Sequence, residues 1–481
     1  MSLEEIGLRK LVVLLWSHPR NLNSLKSFRF SSEDDNVKVK EWNAEIEKVK
    51  DQVGELKLPK TLEKKIMLLL KPVGSELIKW RSFHENYVFW FECCSFVDLI
   101  IWTFQGTIDY RKSAENIIKQ GNELTLAERF MLSCLYCLED DVQAIWKKFS
   151  DEEKSSCIEN TSHNPRHKEL IAFWASSLSS DVNLDDYRIK EHISHGTVCP
   201  FVFENVTTTG NYVATQYFFS KLPQEQRGRS LAGVAQNVAE KCSFWMTTYD
   251  IGYPKESYSD ILCYLLTLMT EKEQMEVFRS HPYKVLLSFL DWPRQRVFLQ
   301  LLEKTWTFLT VDQFHKLMCV LSRDLNFSAY NYTHLFQEVF LQIPALRERE
   351  HLLADCEEGT FLAHLFDCDD EENIKLVIRN VEPLYKEEIF IHESGFSICY
   401  KLIEEDKWHL LEVFIQECMP SRNARERVKN NFSQFVPYYP MVEREDKMAK
   451  FFNMLDNTNA VDCIIQNLEE NGPPAKKFKK E

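Results

Sequence analysis

Glycine and proline are scarce, 13 and 16 of 481 residues. A sandwich or barrel needs a tight turn after every short strand, so this shortage argues against an all-β fold. A glycine-rich phosphate loop, a nucleophile elbow and a His-Glu-x-x-His pair are all missing, and with them the usual signatures of nucleotide, ester and metallopeptidase chemistry. The acidic runs lack the twelve-residue calcium loop with its central glycine. Basic residues are the minority charge, 58 Lys+Arg against 73 Asp+Glu, for a net charge of −15. Phosphate backbones would be repelled, so no nucleic-acid partner is expected. A long uncharged apolar run is also missing. The most apolar stretch, Tyr87 to Phe104, contains Glu92 and Asp98. An acidic side chain at a bilayer centre costs about 2.5–3.5 kcal/mol and no basic cluster flanks the stretch, so it reads as buried helix and no membrane partner is expected. The start, Met1-Ser2-Leu3-Glu4-Glu5, is acidic where a signal peptide is basic, and Leu11 to Trp16 is short for its apolar core. The fourteen cysteines have no spacing framework. They read as reduced thiols of a cytoplasmic or nuclear protein.

Aromatic residues are plentiful, with 33 Phe, 17 Tyr and 11 Trp. Bulky rings fill the space between packed helices. The chain is longer than the roughly 250–300 residues one compact core can serve. The expected fold is all-α: an N-terminal helical bundle over residues 1–178, an irregular segment over 179–209, a helical-repeat array over 210–468 and a disordered basic tail over 469–481. Within the bundle, helices are expected over 4–17 and 36–57, the second with Trp42, Ile46, Val49, Val53 and Leu56 on one stripe. A loop is expected over 20–36. Pro72-Val73-Gly74 should break the helix begun at Thr61, and Ser75 to Phe104 should continue as one long or two abutting helices. Thr125 and Glu128 form a capping-box pattern for a helix running through Leu138.

Two segments of the later chain align without a gap, 37 residues apart. Thr360-Phe361-Leu362-Ala363-His364-Leu365-Phe366, an acidic turn and Ile374-Lys375-Leu376-Val377-Ile378 match Ser397-Ile398-Cys399-Tyr400-Lys401-Leu402-Ile403, a second acidic turn and Leu411-Glu412-Val413-Phe414-Ile415. Leu286, Phe289, Leu290, Phe298, Leu301 and Leu302 fit the same template 76 residues before Leu362 and its fellows. Such a period marks stacked helix pairs that bury apolar faces against their neighbours. The pattern resembles the ankyrin repeat, closely over 356–418 and less so over 258–305. Thr360 and Ser397 fall at that repeat's opening hydroxyl. Phe361 and Ile398 replace its proline, Ala363 and Tyr400 its histidine, and Asp369 and Asp406 its turn glycine. The resemblance implies a divergent ankyrin-like, helical-pair solenoid, and carries over no ligand-contact residues.

The tail Pro473-Pro474-Ala475-Lys476-Lys477-Phe478-Lys479-Lys480 resembles a short nuclear-import signal, with Lys476, Lys477, Lys479 and Lys480 reaching an import receptor. A frayed, solvated terminus gives the same composition. His163, His167, His192, His195 and Cys199 have spacings zinc accepts, but Pro165 interrupts the first pair. Polar loop histidines account for them more simply. Cys134 and Cys137 have redox spacing inside a strongly apolar helix and read as small core residues, as do Cys93 and Cys94. Asp367 to Glu372 reads as a solvated turn, and Tyr385 to Ile391 as an exposed loop between copies. No catalytic, cofactor or metal residues are assigned. The chain reads as a non-enzymatic protein–protein interaction scaffold, cytoplasmic or nuclear. The alternative is a metal-dependent regulator or enzyme centred on 163–199.

Overall fold

The computed structural model describes residues 2–27, 35–87, 93–121, 123–159, 168–178, 198–242, 254–322, 332–342, 361–418, 421–435 and 444–457. Among these the protein is all-α, its regular elements helical apart from one antiparallel bridge between Trp102 and Ile108. Two compact units form, the first from the described residues up to Leu309 and the second from those beyond.

In the first unit the core begins where two indoles meet a glycine. The helix Leu3–Trp16 is capped by Ser2, whose Oγ accepts from the Glu5 amide at 3.1 Å. It packs on the helix Lys60–Tyr87, which runs unbroken through Pro72. The expected break at 72–74 is thus corrected. The turn around Pro72 is held by Ser75 Oγ donating to the Lys71 carbonyl at 2.8 Å and Trp16 Nε1 donating to the Leu70 carbonyl at 2.9 Å. Gly74 is a packing residue and no breaker. A Cβ there would lie 2.5 Å from the Trp16 ring and 2.9 Å from Trp42. Its absence lets those indoles stack, centroids 5.4 Å apart, against the helix.

Four further expectations are corrected in this unit. Residues Pro19–Ser27, expected as loop, form a helix that buries Leu22 and Leu25; two apolar residues in nine are too few to show a stripe. The helix expected over 75–104 stops at Tyr87. A 3-10 segment, Cys93–Leu99, follows, and residues 101–109 then fold back on themselves, with Gly106 at φ 78° and Thr103 Oγ1 hydrogen-bonded to Thr107 Oγ1 at 2.8 Å. A continuous apolar run does not distinguish these conformations. Val198–Thr209, within the segment expected to be irregular, is helical. Its β-branched end is accommodated because Thr207, Thr208 and Thr209 donate back to the carbonyls of Phe203, Glu204 and Val206 at 2.6, 2.9 and 3.2 Å. The capping box of Thr125 forms as expected, but its helix closes at Leu135, three residues early.

One turn recurs between paired helices. It joins Leu126–Leu135 to Glu139–Trp146 and Val198–Thr209 to Tyr212–Lys221 in the first unit, and Phe361–Asp367 to Glu371–Arg379 and Glu393–Glu404 to Trp408–Cys418 in the second. The left-handed residue is Cys137, Gly210, Asp369 or Asp406, with φ of 51°, 94°, 54° and 57°. Its amide donates to the carbonyl three residues back, and the next amide to the carbonyl five back. Cys137 thus reaches Cys134 and Leu138 reaches Ser133, Asn211 reaches Val206, Asp370 reaches Leu365, and Lys407 reaches Leu402. These bonds satisfy the carbonyls that a helix end leaves open. The two aligned segments match bond for bond, 37 residues apart.

In the second unit, Phe414 lies with its centroid 5.0 Å from both Phe366 and Phe390. Phe390 belongs to the helix Pro383–Ile391, which replaces the loop expected there. Pro383 sits in its first turn, where a missing amide costs nothing. Leu362, Leu365, Ile374, Val377 and Ile378 are buried, and so are Leu286, Phe289, Leu290, Phe298, Leu301 and Leu302 in the first unit. The opening hydroxyls are not used as the resemblance implies. Thr360 lies outside the described residues, and Ser397 sits within the helix Glu393–Glu404, bonded to the Glu393 carbonyl at 3.1 Å.

A β-branched residue in the left-handed region is strained by about 1–2 kcal/mol. Asp369→Val should therefore lower the stability of the second unit by that amount in urea denaturation, whereas Asp369→Gly should leave it unchanged or raise it. Equal losses in both variants would show that the aspartate's ion pair with Lys407, at 2.8 Å, matters more than the backbone.

Candidate functional site

Most of the residues singled out by sequence lie outside the described chain: Lys476, Lys477, Lys479 and Lys480, and His163, His167, His192 and His195. Cys199 is on the helix Val198–Thr209. Among the described residues no group of three or more His, Cys, Asp or Glu side chains is placed to hold a metal ion. Cys134 and Cys137 are buried thiols, and burial pushes the Cys137 thiol up, away from the reactive thiolate. No helix among these residues is long and apolar enough to cross a membrane. Of the run Asp367 to Glu372 only residues 368–370 form the turn, with Asp367 ending one helix and Glu371 and Glu372 opening the next, and the run is tied to the next helix pair by charge. Lys401 pairs with Asp367 at 2.6 Å and Lys407 with Asp369 at 2.8 Å, and His409 contacts Glu371 at 2.8 Å.

One cavity among the described residues was not visible in the sequence. It lies in the first unit and has a volume of about 290 Å³, close to the roughly 300 Å³ at which small-molecule sites begin. Glu76, residues of the folded-back loop between Thr103 and Asp109, Tyr110, Arg111, Tyr136, Asn211 to Val213, Glu256, Ser257, Asp260 and Trp292 line it. These residues come from six or more separate stretches, so only the tertiary fold assembles the site.

Behind its wall is a buried charge network. Glu76, Lys79 and Glu256 are 8%, 7% and 7% exposed. Lys79 Nζ lies 2.7 Å from Glu256 and 3.5 Å from Glu76. One turn of helix places Glu76 and Lys79 on the same face, while Glu256 is delivered by the helix Lys255–Leu268. Burial alone would pull the Lys79 ammonium down, but Glu256 and Glu76 outweigh it and hold its pKa up. Burial pushes the Glu76 carboxyl up, with Glu256 adding to the rise and Lys79 opposing it. Arg294 pairs with Asp260. Burial pulls its guanidinium down to about 10 against the pull of Glu76 and Glu256. Ser259 Oγ donates to Asp291 at 2.6 Å.

Aromatic groups complete the wall. His84 is buried, and its Nδ1 contacts the Trp80 carbonyl at 2.7 Å. A carbonyl only accepts, so Nδ1 carries the proton, and in the neutral ring Nε2 accepts from the Tyr136 hydroxyl at 2.8 Å. Tyr110 packs beside both rings, centroids 6.0 Å from His84 and 6.5 Å from Tyr136. Burial pushes the Tyr110 hydroxyl up, and the nearby Glu76, Tyr136 and Glu256 push it further. Asn211 fixes the opposite corner, donating to the Leu135 carbonyl and accepting from the Ala214 amide, both at 2.9 Å. The sequence held one clue: Glu76 and Lys79 sit three apart in a stretch otherwise rich in Leu, Trp and Phe. Charge at that spacing in an apolar helix signals a buried pair.

No protein-family model and no curated protein matches this chain. Assignment therefore rests on geometry alone.

Removing Lys79 would leave Glu76 and Glu256 facing each other without a counter-charge. Breaking a buried ion pair from one side costs about 3–5 kcal/mol. Lys79→Met should lower unfolding stability by that order in a chemical denaturation curve. A loss below about 1 kcal/mol, the size of a surface pair, would mean that water reaches the network.

Proposed function

We propose that the protein is a non-enzymatic interaction scaffold that presents a helical-repeat surface to another protein. The observation that supports this reading is one helix–turn–helix bond pattern that occurs twice in the second unit, 37 residues apart, with ion pairs linking the two. Arg379 reaches Glu417 in the next pair at 2.6 Å, parallel to the Lys401–Asp367 and His409–Glu371 contacts. Exposed ion pairs of this kind add about 0–1 kcal/mol each to stability. They order long side chains in advance, which lowers the entropy lost when a partner docks. Glu372 and Glu412 stand exposed on the second helices of the two pairs. With a net charge of −15, this acidic character suits a partner with a basic surface. That a helical array serves binding is an argument from fold.

The test is affinity capture with the intact chain. Phe414→Asp places a charge in the core of the repeat and should abolish capture of the specific partner together with the fold of this unit. Glu372→Lys with Glu412→Lys reverses surface charge while leaving the core untouched. It should weaken capture at least tenfold with the melting temperature unchanged. Capture that is indifferent to the double charge reversal would overturn the reading for this face.

Lys476, Lys477, Lys479 and Lys480 are proposed to engage an import receptor, so that the scaffold divides between cytoplasm and nucleus. A fluorescent fusion lacking 475–481 should shift towards the cytoplasm. Unchanged distribution would discard the tail as a signal.

A further inference from the structure

We propose that the second unit takes up a peptide segment in which one bulky apolar side chain stands between lysines or arginines. The apolar side chain enters a slot between two helices, and the basic ones lie on an acidic lip beside it. The proposal rests on the reading of this unit as a protein-binding surface and names the kind of sequence the partner offers it.

The slot lies between the first helices of the two matching pairs, Phe361–Asp367 and Glu393–Glu404. Its volume is about 120 Å³, well under the roughly 300 Å³ at which small-molecule sites begin. That is room for one large side chain. Phe366, Ile398 and Leu402 give it an apolar, buried floor, and Ala363 leaves the space open. In the matching copy, 37 residues on, the position of Ala363 carries Tyr400. A methyl group thus stands where the other copy has a ring. A polar group pushed onto this floor would lose its water without a partner to replace it, whereas an apolar side chain gains by leaving water.

The rim of the slot is polar, and it leads into the two turns. Ser397 Oγ donates to the Glu393 carbonyl at 3.1 Å, Lys401 pairs with Asp367 at 2.6 Å, and Glu405 shares Lys407 with Asp369, at 3.0 and 2.8 Å. Asp367 to Glu372 carries five carboxylates and no base, and Glu404 to Lys407 three carboxylates and one lysine. Lys375 reaches Glu371, as does His409, and Lys447 reaches Asp406 at 3.0 Å with Lys450 close by. Among the described residues, eight carboxylates at the two turns thus meet five lysines. Asp370 and Glu372 are bonded to neutral donors, Asn373 Nδ2 at 2.8 Å and Gln337 Nε2 at 3.1 Å. The surplus of negative charge beside an apolar slot is complementary to an apolar residue with basic neighbours, and it repels the same residue with acidic ones.

The experiment follows the fluorescence anisotropy of three fluorescein-labelled peptides as the full chain is added: Gly-Lys-Lys-Leu-Lys-Lys-Gly, the same peptide with glycine in place of leucine, and the same with glutamate in place of every lysine. The leucine–lysine peptide should bind one to one and at least tenfold more tightly than its glycine counterpart, and its affinity should fall as salt rises. The glutamate peptide should show no saturable binding. Ala363→Tyr puts the ring of the other copy into the slot. It should reduce the leucine peptide to the level of the glycine peptide and keep the melting temperature. Should that variant fail to fold, Ser397→Tyr, at an exposed position on the rim, decides in its place. The proposal is overturned if none of the peptides binds, if the leucine and glycine peptides bind alike, if the glutamate peptide binds as well as the lysine one, or if the preference for leucine survives the slot-filling variant. Partner capture that responds to charge reversal at Glu372 and Glu412 without any peptide binding would overturn the slot alone. Peptide binding with capture indifferent to that reversal would uphold the slot and overturn only the face carrying Glu372 and Glu412.

Discussion

The left-handed residue between paired helices is the constraint on which the rest of the fold depends. An α-helix leaves its last carbonyls without partners, and a chain that must reverse into a second helix needs them satisfied in very few residues. At Cys137, Gly210, Asp369 and Asp406 one residue with positive φ does both. It returns two amides to the preceding helix and delivers the next residue as the start of the following one. Glycine is the easy choice for such a position, but only one of the four is glycine. The aspartates draw compensation from the next helix pair, through Lys407 and Lys447, at 2.8 and 3.0 Å. Cys137 is instead sealed in the core. A scarcity of glycine is therefore compatible with a fold full of reversals.

Close packing is organised by aromatic residues around places where the backbone comes near. Gly74 admits the stacked Trp16 and Trp42, and in the second unit Gly395, where a Cβ would lie 2.2 Å from the Ile389 carbonyl oxygen and 2.8 Å from that of Phe390, lets its helix close on the one that brings Phe390 to Phe414. In the first unit the polar network of Glu76, Lys79, Glu256, Arg294 and Asp260 interrupts this apolar interior beside a cavity. Buried ion networks seldom add net stability over a well-packed apolar core.

Much of the helical framework was legible in the sequence, and the reasons are specific. The 3–4 spacing of Trp42, Ile46, Val49, Val53 and Leu56 predicts one buried face; the first four are buried in Asp35–Glu55, whereas Leu56 follows the helix end and is exposed. Thr125 with Glu128 predicts the capping box that forms. Where expectation and structure part, the local signal was overridden or ambiguous. Pro72 and Gly74 are breakers in isolation, but tertiary packing against Trp16 holds the helix straight through them. The apolar run to Phe104 gave no sign that it would turn into a 3-10 segment and a folded-back loop. The cavity was illegible because Glu76, Tyr136, Asn211, Glu256 and Trp292 are distant in sequence and carry no motif.

The sequence by itself determined the all-α class, the paired helices and the 37-residue correspondence, because periodicity, caps and turns are local properties written in adjacent residues. It also determined which side chains in the two aligned segments are buried, since a helix's inward face follows from its spacing. Only the tertiary structure decided that Gly74 is a seat for two indoles and that Tyr385 to Ile391 is helix with Phe390 in the core. It alone gathered carboxylates, ammonium and rings around one cavity. Such placements depend on which distant segments meet, and burial free energy acts on the assembled surface, whatever the order of residues that compose it.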